Sequence, residues 1–206
     1  MSTLRHQGRR GGFGAQRDRL RIAQVAARLI VEHGLSDWTL AKRKAARQLM
    51  LPDTTAMPSN DEIEIALAEH HALFGGEAHA ASLRSMRAHA LQWMERLAAW
   101  QPLLVGGVAA GWATEHSDIR LELVADDPKA VEIELAGHGV MYAALPARDG
   151  DAATHLMLES PHRDKIGGRI RLAILTPTQR RNRPRKAEEP RLDVEALSTL
   201  LGGDAR

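Results

Sequence analysis

Apolar residues recur at helical spacing from the start of the chain. Leu20, Ala23, Ala27 and Ile30 predict a helix over 17–33, and Gly34 follows as a C-cap. Ser36 or Asp37 then caps a second helix running to about Leu51, with Ala41, Ala45 and Leu49 on one face. Pro52 to Pro58 reads as a loop. Ser59-Asn60-Asp61-Glu62 is a capping-box pattern that opens a third helix, with Ile63, Ala66, Leu67 and Leu73 inward and Gly75-Gly76 at its end. A fourth helix is expected over 78–99, with Leu83, Met86, Ala90, Met94 and Leu97 inward.

After Pro102 the period changes. Leu103 to Val108 is a short apolar run. In Asp118 to Val124, Ile119, Leu121 and Leu123 alternate with Asp118, Arg120 and Glu122, as in a half-buried strand. Asp127-Pro128 opens a short helix closed by Gly137. Strands are expected at 140–145, 154–159 and 169–175, with Gly167-Gly168 as a hairpin turn. Thr176 to Pro190 reads as a basic linker and Leu192 to Leu201 as a last helix, with Asp193 near its start. The chain is thus α+β: a basic tail (1–16), a helical region (17–100), a small mixed-sheet domain (101–176), and a linker with a short helix (177–206).

Composition sharpens this picture in three ways. Aromatics are only 3% of the 206 residues, so the core must be built from Leu, Ile, Val, Ala and Met. Cysteine is absent, which excludes disulfides, thiolate metal sites and cysteine nucleophiles. No apolar run approaches the roughly 18 residues of a membrane span. The basic, glycine-rich start lacks the apolar stretch of a secretory signal, so a disordered tail and a cytoplasmic location are expected.

The net charge is +2, but the basic residues cluster. One group is Arg5, Arg9, Arg10, Arg17, Arg19 and Arg21. A second is Lys42, Arg43, Lys44 and Arg47. A third is Arg180, Arg181, Arg183, Arg185 and Lys186. Such groups can meet phosphate backbones or serve as solvated faces.

The chemistry concentrates at Leu104-Val105-Gly106-Gly107, followed ten residues later by Ser117-Asp118-Ile119-Arg120-Leu121. This stretch resembles the signature of the polymerase-β nucleotidyltransferase superfamily. That signature is a strand, a Gly-Ser turn into a helix, and a strand opening Ser-Asp-hydrophobic-Asp. The resemblance covers about residues 102–176. It implies two divalent cations held by carboxylates, with backbone N–H groups of the turn facing a triphosphate. Asp118 maps onto a metal ligand, and Gly106, Gly107, Arg120 and His116 would flank the phosphates.

Three departures imply loss of metal-dependent catalysis. The turn serine is Gly107, the second carboxylate position is Arg120, and the later strand at 169–175 has no carboxylate. Were the site active, the chain would be a metal-dependent nucleotidyltransferase with Asp118 and Glu122 as its Mg2+ ligands. The whole chain also resembles a group of bacterial proteins in which an Ala-Lys-Arg-Lys-Ala-Ala helix and an Asn-Asp-Glu-Ile-Glu helix precede such a domain. That resemblance implies no activity.

A second class of function attaches to the N-terminal region. Ala26 to Ile30, Gly34, Trp38-Thr39-Leu40 and the helix after it resemble the start of tetracycline-repressor-type regulators. Lys42, Arg43, Lys44 and Arg47 would then contact nucleic acid. The long proline-bearing loop after Leu51 departs from that family's tight turn. His70, His71 and His79 lack the spacing of a helical metal site and read as surface histidines.

Overall fold

Asp37, not Ser36, begins the second helix: its carboxylate accepts from the Thr39 and Leu40 N–H groups at 2.9 and 3.2 Å. Such local signals set most element boundaries in this chain. The computed structural model describes residues 8–35, 37–52, 55–146, 153–158, 169–182 and 190–203, with backbone only for 8–13. Ser36, Gly167-Gly168, Arg5, Arg183, Arg185 and Lys186 lie outside the described residues, and the side chains of Arg9 and Arg10 are likewise not described. The chain divides into two compact units, 1–77 and 78–206.

In the first unit, α1 (Gly8–His33) packs with both α2 (Trp38–Gln48) and α3 (Asn60–Phe74). Segment 8–16, expected as part of a disordered tail, belongs to α1. The buried stripe of α1 is Ile22, Ala23, Ala26, Ala27 and Ile30, and that of α2 is Ala41, Ala45 and Ala46. Alanine on both helices lets their axes approach closely. Two leucines expected inward are exposed, Leu20 at 50% and Leu73 at 75%. They flank the buried stripes of α1 and α3, which among the described side chains run over Ile22–Ile30 and Ile63–Leu67.

Ser59 and Glu62 form the expected capping box on α3. Glu62 also accepts a 2.6 Å hydrogen bond from Arg19 of α1, which links the two helices. That bond, with the Ser59 backbone N–H, holds the Glu62 carboxyl below its ordinary 4.5. A carboxylate whose folded pKa is depressed contributes stability above the unfolded value, and this is lost as pH falls through the folded one. The unit's melting temperature is therefore expected to drop on acidification below about pH 4.5, and Arg19→Met is expected to flatten that drop. Parallel pH profiles for parent and variant would disprove the link.

The second unit begins with α4 (Gly76–Arg96), then a 3-10 turn at Ala98–Trp100. Next come β1 (Leu103–Val105), α5 (Gly107–Ala110), β2 (Ile119–Val124), α6 (Pro128–Gly137) and β3 (Tyr142–Leu145). β4 (Thr154–Leu158), β5 (Ile170–Leu175), α7 (Pro177–Asn182), β6 (Arg191–Leu192) and α8 (Val194–Gly203) complete it. The sheet order is β3-β4-β5-β2-β1-β6. Among the described strands β2 and β5 run parallel and the other neighbours antiparallel. The fold is α+β with a mixed sheet, as expected.

Every second residue of the central strands is apolar and buried. Ile119, Leu121 and Leu123 share a face with Ile170, Leu172 and Ile174. Leu83, Met86, Ala90 and Met94 of α4, Val131 and Leu135 of α6, and Leu197 of α8 join the same cluster. α4 therefore belongs with the sheet, and the boundary expected at 100/101 falls at 77/78. The segment expected as a linker contains α7 and is followed by β6. Two residues carry too little periodicity to announce a strand, and β6 is defined only by pairing with β1. Asp127 and Asp193 cap α6 and α8 by accepting from Lys129 N–H and Ala196 N–H.

Candidate functional site

The glycine motif is realised as a strand running into a single helical turn. Gly106 has φ 71° and ψ −153°, a conformation open essentially to glycine alone. The carbonyl of Gly107 accepts from the N–H groups of Gly111, Trp112 and Ala113 at 2.8 to 3.1 Å. α5 therefore closes after one turn. Its terminal carbonyls are capped from α4: Arg87 donates to the Val108 and Ala109 carbonyls, and the His79 ring lies 3.2 Å from the Gly111 carbonyl. His79, expected at the surface, is thus one of the groups that fix the turn.

Arg120 lies against this turn. A Cβ built on Gly106 would stand 2.8 Å from its Nε and 3.0 Å from its Cζ. Arg120 projects from β2 on the face opposite the core. Strand register places Val105 and Arg171 beside it, Arg191 beyond Val105, and Met157 beyond Arg171. Arginines therefore occupy three positions in one row across the sheet. Glu122, Ala173 and His155 lie on the same face in the next row.

The acidic candidates are already engaged. Asp118 sits just before β2, and Arg169 Nε donates to its Oδ1 at 3.0 Å. Glu122 is only 4% exposed, and its Oε2 lies 3.4 Å from an Arg191 guanidinium nitrogen. Four strand positions separate the two carboxylates, about 13 Å at ~3.3 Å per residue, and Arg120 stands between them. Among the described residues no group of three His, Asp or Glu could hold a metal ion. The expectation that Asp118 and Glu122 hold Mg2+ meets this arrangement: each carboxylate faces a guanidinium, and Arg120 stands between them, whereas hard cations need converging oxygen ligands.

His116 is exposed on the loop before β2, with its Nε2 3.5 Å from Glu115 Oε1. An open depression of about 550 Å³ runs along β6 and α8, lined by Leu192, Asp193, Glu195, Ala196, Thr199 and Leu200. None of the candidate residues lines it.

In the first unit, Lys42 Nζ donates to Asn60 Oδ1 at 2.8 Å. Burial lowers the Lys42 pKa, opposed by the Glu62 charge. Arg43, Lys44 and Arg47 are exposed on α2. The basic group expected to act together is thus split, with Lys42 joined to the start of α3. No helix among the described residues is long and apolar enough to cross a membrane.

Sequence inspection passed over Arg171, Arg191 and Arg87. The alternation Arg169-Ile170-Arg171-Leu172 marked Arg171 as outward-facing, but nothing local said that its neighbour across the sheet would be Arg120.

No family model matches the chain, and no curated protein matches it. Among solved structures, it is similar to Cid1 in complex with the UTP analogue UMPNPP, at 14% identity and a TM-score of 0.33, over 56% of this chain and 37% of that one. Cid1 in complex with its short product ApU aligns at 15% identity and 0.33, over 52% and 35%. A cytoplasmic RNA terminal U-transferase aligns at 18% identity and 0.28, over 55% and 35%. The chain spans little more than a third of the length of these proteins. Likeness this slight says nothing of activity.

Proposed function

We propose that the chain is a nucleotidyltransferase-fold protein that lacks metal-dependent catalysis and keeps a phosphate-facing cleft. The Gly106-Gly107 turn, Arg120 and the sheet face beside them form that cleft. The observation that carries this reading is the replacement of carboxylate by guanidinium where the motif needs metal ligands. Arg120 stands at the second ligand position, and β5, the strand beside it, presents Arg171 at the same level. The support lies in the chain's own order of strand, glycine turn, short helix and Asp-bearing strand.

Calorimetric titration of ATP, GTP, CTP and UTP tests it. At least one nucleotide is expected to bind, and Arg120→Glu is expected to weaken that binding at least ten-fold, about 1.4 kcal/mol. Heatless titrations with all four nucleotides would end this account.

A second reading rests on the three exposed cations of α2. Arg43, Lys44 and Arg47 would meet a nucleic-acid backbone through charge alone. Binding to a duplex would then fall steeply with salt and vanish on reversing all three charges. Binding that ignores the reversal excludes it.

A further inference from the structure

α3 is apolar on two faces. Its inner face, Ile63, Ala66 and Leu67, is buried, and α1 packs against this helix. Its outer face carries Ile65, Ala68, Ala72 and Leu73 at helical spacing. All four are exposed, Ile65 at 55% and Leu73 at 75%. Glu69, also exposed, lies midway between Ile65 and Leu73. A helix apolar all round is ordinarily buried all round. The outer face of α3 therefore calls for a cover that the described residues do not give it. α2 offers the matching pattern. Along its outer side run Leu40, Arg43, Lys44, Arg47 and, just past its end, Met50, all exposed. Among the described residues Arg43, Lys44, Arg47 and Glu69 form no ion pair.

We propose that the chain forms a two-fold dimer in which the outer face of α3 in each copy packs on the outer face of α2 in the other. The faces agree in spacing and oppose in charge. On α3 an acid stands between two apolar side chains about 12 Å apart along the axis, at ~1.5 Å per residue. On α2 three cations stand between two apolar side chains about 15 Å apart. Facing opposite charges steer and register such a contact. A second α3 is a poorer cover, because an antiparallel pair would bring the two Glu69 carboxylates together. Lys42 donates to Asn60 and so holds the two helices at a fixed spacing within one chain. Two copies then satisfy both faces of both chains, and the assembly closes. The dimer stands apart from the phosphate-cleft reading. It assigns to a protein contact the three cations that the nucleic-acid reading assigns to phosphates.

The test is sedimentation equilibrium of the full chain over a range of concentrations. A species of twice the 22.6 kDa chain mass is expected, and added salt is expected to weaken it by screening the facing charges. Glu69→Arg, and separately Arg43→Glu, Lys44→Glu and Arg47→Glu combined, each set like charges face to face. Each is expected to weaken the dimer about ten-fold or more. An equimolar mixture of the two is expected to restore it, because both contacts of the mixed dimer are again complementary. Leu73→Ser changes no charge, is also expected to weaken the dimer, and keeps the test valid if a charge variant fails to fold. A monomer at every concentration overturns the proposal. So does a monomer whose α2 cations bind a duplex, which returns them to the nucleic-acid reading. A dimer that the charge variants leave unchanged, or that the mixture fails to restore, overturns the pairing of α2 with α3. Species larger than a dimer mark head-to-tail contacts and overturn the two-fold.

Discussion

Gly107→Val is expected to lower the melting temperature of the second unit by about 10 °C or more, corresponding to roughly 3 kcal/mol. A Cβ at this position would lie 2.7 to 2.9 Å from three ring carbons of Trp112, far inside van der Waals contact. The ring has little room to retreat, because Trp112 is buried. The backbone cannot move apart either. The Gly107 carbonyl holds the N–H groups of Gly111, Trp112 and Ala113, so both sides of the clash belong to one hydrogen-bonded turn. Relieving the clash means opening that turn and uncovering the Val108 and Ala109 part of the core. A serine here, the residue of the family signature, would meet the same ring. Thermal denaturation followed by circular dichroism checks this. A shift under about 2 °C would show that the ring is mobile.

Arg191→Met is the second large effect, expected to cost about 3 kcal/mol. Glu122 is almost fully buried beneath the Arg191 guanidinium. Removing the cation leaves a carboxylate with less compensation in a place water scarcely reaches, and more of the desolvation cost is then felt. The matching prediction separates charge from packing. Glu122→Gln combined with Arg191→Met is expected to be more stable than Arg191→Met alone, since the amide carries no charge to desolvate. Denaturant unfolding of the two variants and the parent decides it. If the double variant is no more stable, the cost lies in lost packing of the arginine stem over β1.

The same pair shows what a metal reading of the sequence leaves out. Asp118 and Glu122 have the right parity to share a strand face, and the alternation of β2 says so without coordinates. What alternation omits is the neighbour. Arg169 stands just before β5, 51 positions away in the chain, and Arg191 comes from β6, a strand of two residues. Both engage the carboxylates that would have served a cation.

Local physics was legible in much of the described chain. Helical periodicity marked the buried stripes of α1 to α4, the Ser59–Glu62 box and Asp127-Pro128 marked helix starts, and alternation marked β2. These signals act over a few residues, so the amino-acid order determines them. It also determined that the motif at 104–121 carries arginine where the resembling family carries a carboxylate. The tertiary structure decided three further things. It assigned α4 to the sheet unit, since the partner of an apolar stripe is not written in the stripe. It exposed Leu20 and Leu73, because the length of contact between helices limits how much of each stripe is covered. It set Arg171 beside Arg120, because the pairing of β2 with β5 joins segments about fifty residues apart, and register across such a distance follows from packing of the whole sheet.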